Sequence, residues 1–150
     1  MIPLRDTIPS RTVPIVRSAI LAACVGVFVL QILAGNGGKV LVDAFGFVPA
    51  RLFHSAELGP GAFSYGVVGL FASMFLHGGL MHLAGNMLFL WIFGDNVEDA
   101  LGHGRFLLLY LGSGVLAALL QGLLATTSLV PMVGASGAIA GVLGAYLVLY

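Results

Sequence analysis

The amino-acid sequence predicts an all-α fold, a bundle of helices that crosses a membrane several times. Of the 150 residues, 59% are hydrophobic and 8% are charged, whereas an ordinary soluble domain has about 25% charged residues. Residues 58–94 and 106–150 contain no Asp, Glu, Lys or Arg, and both runs exceed the ~20 apolar residues that a spanning helix requires. These runs also lack the alternation of a β-barrel strand. The composition therefore excludes an ordinary soluble protein.

Four membrane helices are predicted where charged, polar, glycine or proline residues interrupt the apolar runs. They are expected at residues 18–34, 80–97, 106–126 and 136–150. Residues 1–17 form a short arm ahead of the first helix, and residues 35–79 are too long for a simple connection. The apolar content of residues 35–79 predicts an outer loop that lies on the membrane surface or dips into it. One bundle accounts for the whole chain, so a single domain is expected.

The arginines near the N-terminus predict the orientation of the bundle. Arg5, Arg11 and Arg17 lie on the N-terminal side of the first predicted helix, whereas Lys39 and the more distant Arg51 follow it. Because basic residues accumulate on the cytoplasmic side of a membrane, the N-terminal arm is expected in the cytoplasm. The fourth predicted helix then begins at the outer face.

A serine among small residues, VGASGAIAG at residues 133–141, marks the start of the fourth predicted helix. Glycines follow one another here at spacings of three, four and three residues, at Gly134, Gly137, Gly141 and Gly144. Such a stripe allows a neighbouring helix to approach closely. Ser136 also lies where the free backbone N–H groups and the positive dipole of a helix start favour negative charge. The pattern suits helix packing and acyl-transfer chemistry and does not decide between them.

A second polar stretch, HGGLMHLAGN, leads into the second predicted helix. His82 and Asn86 are four residues apart and therefore share one face of that helix, with His77 just ahead of them. Polar side chains in a membrane are expected to face the bundle interior or a water-filled cavity. Two interpretations remain open here: hydrogen bonds that hold the helices together, and a functional site.

A metal site is not expected at these histidines. His77 and His82 are five residues apart, which places them about 140° apart around a helix, and no HExxH pattern is present. Cys24, the only cysteine, and the acidic residues from Asp95 to Asp99 are expected at other depths of the membrane. We therefore expect no metal and no cofactor, and we expect Cys24 to be a packing residue.

Three motifs follow one another in the order HxxxxHxxxN, GxxxExxxG and GxSG. They comprise His77, His82 and Asn86, then Gly94, Glu98 and Gly102, and finally Gly134 to Gly137. Each motif alone is unspecific. In this order and at helical positions, over residues 40–150, they resemble the rhomboid family of intramembrane serine proteases, whose members are bundles of six or more helices.

The resemblance implies a serine-protease site. Ser136 would attack a peptide carbonyl, and His82 and Asn86 would help to bind the oxyanion together with backbone N–H groups near the serine. Gly134 and Gly137 frame the nucleophile in the GxSG motif. These residue types suit the chemistry, because loss of one oxyanion donor typically costs about 10²- to 10³-fold in rate.

The resemblance also implies an activity and a location. The expected activity is that of an intramembrane endopeptidase, which cleaves transmembrane segments of other membrane proteins near the outer face. Its expected partners are those substrates and the lipid bilayer, with no nucleic acid, and its expected location is the bacterial inner membrane. The sequence indicates no oligomeric state. The alternatives are a catalytically inactive rhomboid-like protein that binds membrane helices and, outside the family, a small transporter or structural bundle. Glu98 is expected to be structural, bonding neighbouring groups at the cytoplasmic end.

Two departures from the family pattern affect the expected site. The outer loop has no Trp-Arg pair ahead of His77, which leaves the anchoring of this loop open. The general base of a rhomboid is a histidine on the sixth helix, whereas the fourth predicted helix runs to Tyr150 without a polar flank. We therefore expect the base and further helices beyond Tyr150, and we expect residues 1–150 alone to be inactive. A dyad of Ser136 with His82 is the alternative arrangement.

Overall fold

A computed structural model describes residues 12–150 of the chain. Eight α-helices and one 3₁₀ turn, Asn36–Gly38, follow one another in this part, which contains no β-strand. The helices are α1 (Ile15–Leu33), α2 (Lys39–Phe45), α3 (Pro49–Phe53), α4 (Ser55–Leu58), α5 (Ala62–Ala72), α6 (Leu80–Leu101), α7 (His103–Leu123) and α8 (Ser136–Leu149). The predicted all-α fold is confirmed. Arg5 and Arg11 lie outside the described residues.

The four longest helices, α1, α6, α7 and α8, lie where membrane helices are predicted but differ at their ends. α6 continues to Leu101, beyond the predicted end at residue 97, because its carboxylate Glu98 is bonded inside the protein and does not mark a membrane exit. α7 begins at His103 and α1 at Ile15, each earlier than predicted. By length and composition, α1 and α7 are long and apolar enough to cross a membrane.

The core lies where α1, α6, α7 and α8 meet. Its buried side chains include Ile20, Cys24, Leu90, Phe106, Tyr110 and Val142. Cys24 is fully buried among them, as a packing residue would be. Because lipid tails are as apolar as these side chains, close packing rather than exclusion from water holds such helices together.

Small residues bring α8 against α7. A Cβ atom at Gly137 would lie 2.5 Å from the Cβ atom of Ala117 on α7. A Cβ atom at Gly141 would overlap the side chain of Ser113, also on α7. These two glycines therefore allow the close approach of the helices. The ends of the predicted stripe do not take part, because Gly134 precedes α8 and Gly144 faces open space.

A buried carboxylate joins the start of α1 to the end of α6. Glu98 accepts hydrogen bonds from the backbone N–H groups of Val16 and Arg17, at 2.9 and 2.7 Å, and contacts Nδ1 of His103. These are N–H groups that the first turn of a helix leaves without acceptors. The Arg17 side chain is itself buried, with its guanidinium group 4.1 Å from the ring centre of Trp91. Glu98 therefore has the structural contacts expected of it.

The outer loop is largely helical and supports the connection between α7 and α8 through backbone contacts. The N–H of Phe47 donates to the carbonyl oxygen of Met132 at 3.0 Å, and the N–H of Met132 donates back at 2.8 Å. The N–H of Ala50 donates to the carbonyl oxygen of Ser128 at 3.1 Å. The loop thus holds the segment that leads into Ser136.

An arginine also joins two helices within the outer loop, which has no Trp-Arg pair before His77. Arg51 donates from Nη2 to the carbonyl oxygen of Asp43, at 3.1 Å, and so connects α3 to α2. Exposed aromatic side chains lie along the same loop, at Phe45, Phe63, Tyr65 and Phe71. Of these, Tyr65 is of the type that is enriched at the boundary between lipid and water.

Candidate active site

Ser136 is the first residue of α8 and its side chain is exposed. Within the described part of the chain, its hydroxyl group has no hydrogen-bond partner. The backbone N–H groups in the first turn of a helix lack intrahelical acceptors and lie at the positive end of the helix dipole. Ser136 is therefore an accessible hydroxyl group at a place that favours negative charge.

The first glycine of the GxSG motif makes room for a histidine. The backbone of Gly134 has φ +128°, a conformation that residues other than glycine rarely adopt. A Cβ atom at this position would lie 2.6 Å from Cε1 and 2.7 Å from Nε2 of His82. The N–H of Gly134 donates to the carbonyl oxygen of Ser73, at 2.9 Å. The imidazole of His82 thus lies against the backbone two residues before Ser136.

The tautomer of a neutral His82 ring follows from a backbone contact in the turn before α6. The N–H of Gly78 donates to Nδ1 of His82, at 3.5 Å. A neutral imidazole that accepts at one nitrogen carries its proton on the other. Nε2, the nitrogen beside Gly134, is then a hydrogen-bond donor that faces the serine segment.

Asn86 lies one helical turn after His82 and supplies a second donor. Its Nδ2 atom would be 3.8 Å from a Cβ atom at Gly134. This atom is buried and has no hydrogen-bond partner among the residues that the structure describes. Buried polar groups without partners are uncommon and require an explanation. The structure brings His82 and Asn86 together beside Gly134, two residues before Ser136, while their roles stay predictions.

His77 is closer to His82 than the helical spacing indicates. Its ring centre is 5.3 Å from that of His82, in an edge-to-face arrangement. The expected angle of about 140° is wrong here, because His77 lies in the turn before α6 rather than on the helix. Burial, with a smaller contribution from His82, lowers the pKa of His77 to about 4, so its ring is neutral at pH 7. No three His, Cys, Asp or Glu side chains converge on a metal position within residues 12–150.

The other two histidines are engaged elsewhere. Nδ1 of His54 lies 3.2 Å from Oε1 of Glu57, and its Nε2 lies 3.4 Å from a threonine hydroxyl group. His103 contacts Glu98 at the far end of α6. Among His54, His82 and His103, His82 is therefore the one whose ring lies against the serine segment.

A cavity of about 160 Å³ opens beside the serine. Its walls come from the turn after α5, from α7, from the segment before α8 and from α8 itself, and include Met74, Gly114, Ala117, Gln121, Val133 and Ser136. A cavity of about 150 Å³ can hold a molecule of the size of benzene. The space next to Ser136 therefore has the size of one side chain of a bound peptide.

Contacts that hold the site together were not predicted from the sequence. They are the hydrogen bonds of Gln31 to His77, of Gly134 to Ser73, and of Phe47 to Met132. Gln31 was detectable, because it is the one amide in the apolar stretch from residue 19 to 34, where polar side chains are costly. The other two contacts involve only backbone atoms, which leave no signal in residue type.

The fold and the site define a helical membrane protein with an accessible serine at a helix start. A family model described as "Rhomboid domain" matches residues 64–150. The chain belongs to the rhomboid family, whose curated members include rhomboid proteases, and it is an integral membrane protein.

Three relatives illustrate the extent of the similarity. Rhomboid protease GluP of Bacillus subtilis is 38% identical over 120 residues, which are 80% of this chain and 21% of the relative. Rhomboid protease GlpG of Klebsiella pneumoniae is 31% identical over 103 residues, 69% of this chain and 33% of the relative. The human presenilin-associated rhomboid-like protein, mitochondrial, is 41% identical over 75 residues, 49% of this chain and 20% of the relative. The chain thus corresponds to between a fifth and a third of the length of these relatives.

Proposed function

We propose that the protein is an intramembrane serine endopeptidase in which Ser136 attacks a peptide bond in a transmembrane segment of another membrane protein. The observation that carries the proposal is the pair of side chains beside the serine segment, the imidazole of His82 against Gly134 and the buried amide of Asn86. The names of the relatives, two of them rhomboid proteases, support it. Its partners are the substrate and the bilayer, with no nucleic acid.

The donors around the serine suit the first chemical step. As the Oγ atom of Ser136 bonds to the substrate carbonyl carbon, the carbonyl oxygen becomes an oxyanion, and the serine proton passes to a general base. Asn86 Nδ2, His82 Nε2 and backbone N–H groups at the start of α8 can donate to this oxyanion. The base then protonates the leaving amine, and water hydrolyses the acyl-enzyme.

The general base is proposed to be a histidine beyond Tyr150. His54 and His103 are hydrogen-bonded in other parts of the molecule. His77 is buried and binds protons weakly, since its pKa is about 4. His82 is assigned to the oxyanion, and its use as the base is the competing arrangement.

The cavity beside Ser136 is proposed to receive a substrate side chain next to the cleaved bond. Its volume of about 160 Å³ suits a side chain of moderate size. Gly114 and Gly137 line it without Cβ atoms, and this lets Met74 and Ala117 pack directly against their backbones at the cavity wall.

Covalent labelling tests the proposed nucleophile. A fluorophosphonate should phosphonylate Ser136 in the full-length protein, with loss of fluoride, and peptide mass spectrometry should find the adduct there. Ser113 is an internal control, because its hydroxyl group donates to the carbonyl oxygens of Leu109 and Ala138. Substituting Asn86→Ala should slow labelling by on the order of 10²-fold. An adduct at Ser113 with none at Ser136 would contradict the proposal.

The N-terminus is proposed to be cytoplasmic, with Ser136 toward the outer side of the bacterial inner membrane. Single cysteines at Thr127 and Arg105, in a Cys24→Ala background, report on the two ends of α7, where both residues are exposed. A membrane-impermeant maleimide should label Thr127→Cys in intact cells and Arg105→Cys only after permeabilisation. The reverse labelling pattern would refute this orientation.

A further inference from the structure

Gln31 makes a reciprocal pair of hydrogen bonds with the backbone of His77. Its Nε2 atom donates to the carbonyl oxygen of His77 at 3.0 Å, and the N–H of His77 donates to Oε1 of Gln31 at 3.0 Å. The Gln31 side chain is 2% exposed, whereas its neighbours Leu30 and Ile32 are 58% and 59% exposed. The amide group therefore faces the interior of the bundle, and both of its polar atoms are hydrogen-bonded to the backbone of His77.

The residue that Gln31 holds lies outside any helix. His77 belongs to the turn between α5 and α6, and it is 1% exposed. Leaving a buried N–H or C=O group without a partner is costly, because the group has lost its hydrogen bonds to water. Gln31 satisfies both groups and so ties the position of this turn to α1.

The same turn holds the imidazole of His82. The ring of His77 stands edge-on to it, with centres 5.3 Å apart, and the N–H of Gly78 donates to its Nδ1 atom. Its Nε2 atom lies by Gly134, two residues before the serine. The turn therefore sets both the place of the ring and the nitrogen that carries the proton.

We propose that Gln31 is a positioning residue for His82. It does not line the cavity beside Ser136, and it acts by fixing the turn at His77 and Gly78 that orients the His82 ring. This inference rests on the proposed function, in which the Nε2–H group of His82 donates to the oxyanion.

Substituting Gln31→Met removes both hydrogen bonds at nearly constant volume. In the full-length protein with a transmembrane substrate, we expect kcat to fall by about 10- to 100-fold, since a misplacement of about 1 Å can cost 10²-fold. We expect KM to change little, because an oxyanion donor acts mainly in the transition state. A change confined to KM would contradict the positioning role.

Substituting Gln31→Glu provides a conditional rescue. A protonated carboxyl group can donate to the carbonyl oxygen of His77 and accept from its N–H, as the amide does. An ionised carboxylate can only accept, and it repels that carbonyl oxygen. The activity of this variant relative to the parent, measured at each pH, should therefore rise as pH falls. A ratio that stays constant over the titration of the carboxyl group would count against the reciprocal pair.

The control is Ile20→Val, which alters the packing of α1 without removing a hydrogen bond. Ile20 is buried, with 4% of its surface exposed. ¹⁵N NMR of the histidine side chains reads the His82 tautomer without any substrate, with the signal assigned from His82→Gln. We expect the Nε2–H tautomer in the parent and in Ile20→Val, and a tautomer mixture in Gln31→Met. An unchanged His82 signal in Gln31→Met, or an equal loss of kcat in Ile20→Val, would overturn the positioning role. A changed signal together with cleavage that does not require Ser136 would support the positioning of His82 and overturn the proposed function.

Discussion

Cleavage of a transmembrane substrate should be lost when Ser136 is replaced by alanine in the full-length protein. The expected fall in kcat is on the order of 10⁶-fold, the loss measured when a serine protease is deprived of its nucleophile. The fold should survive, because the Ser136 side chain is exposed and its hydroxyl group has no partner within residues 12–150. The measurement is turnover of a labelled substrate in liposomes, with thermal unfolding in detergent as the test of folding.

The matched control for this substitution is Ser64→Ala, which removes an exposed hydroxyl group from α5 and should leave turnover unchanged. Cleavage by the Ser136→Ala variant at the parental rate would end the assignment of the nucleophile. If the parent binds membrane helices and cleaves none of a broad panel of substrates, the non-catalytic rhomboid-like binding protein becomes the better description.

Residues 1–150 alone should fail to hydrolyse peptide bonds, whereas the full-length protein should cleave. Serine at neutral pH is a weak nucleophile without an adjacent base, and removal of the base from a serine protease has cost on the order of 10⁶-fold in kcat. The remaining oxyanion donors do not compensate for a loss of that size. The measurement compares both proteins in the same detergent, on the same transmembrane substrate, with Ser136→Ala versions of each as controls.

The opposite outcome of this comparison has a specific meaning. If residues 1–150 cleave as fast as the full-length protein and Ser136→Ala abolishes that activity, the base lies within these residues. His82 is then the candidate, because its Nε2 atom lies beside Gly134, and its assignment to the oxyanion is wrong.

The long helices were predictable because length and hydrophobicity decide which segments can cross a bilayer. The ends of α6 and α7 were not predictable, because a charged residue marks the end of a membrane helix only if no group inside the protein bonds to it. Glu98 resembles a membrane-exit signal in the sequence and is a buried acceptor in the structure. The helices of the outer loop were missed because they are short: the longest, α5, has 11 residues, well under the ~20 apolar residues of a spanning helix.

The part of the candidate site that one motif places on one helix could be predicted from the sequence. His82 and Asn86 share a face of α6 because residues four apart lie one above the other. Their approach to Gly134 depends on how α6 and α8 are placed against each other, and residue spacing contains no information on that. His77 was misplaced for a related reason, since the helical angle applies only to residues inside a helix.

The backbone pairing between the outer loop and the serine segment bears on how this protein can change during evolution. Phe47 with Met132 and Ala50 with Ser128 are joined through main-chain atoms, and any amino acid except proline supplies the same N–H and C=O groups. Point substitutions at the exposed residues of the loop can therefore accumulate without moving the nucleophile. Insertions or deletions between residues 46 and 51 shift the register of these pairs, so selection should act on the length of this stretch as well as on its buried side chains, such as Phe47 and Val48.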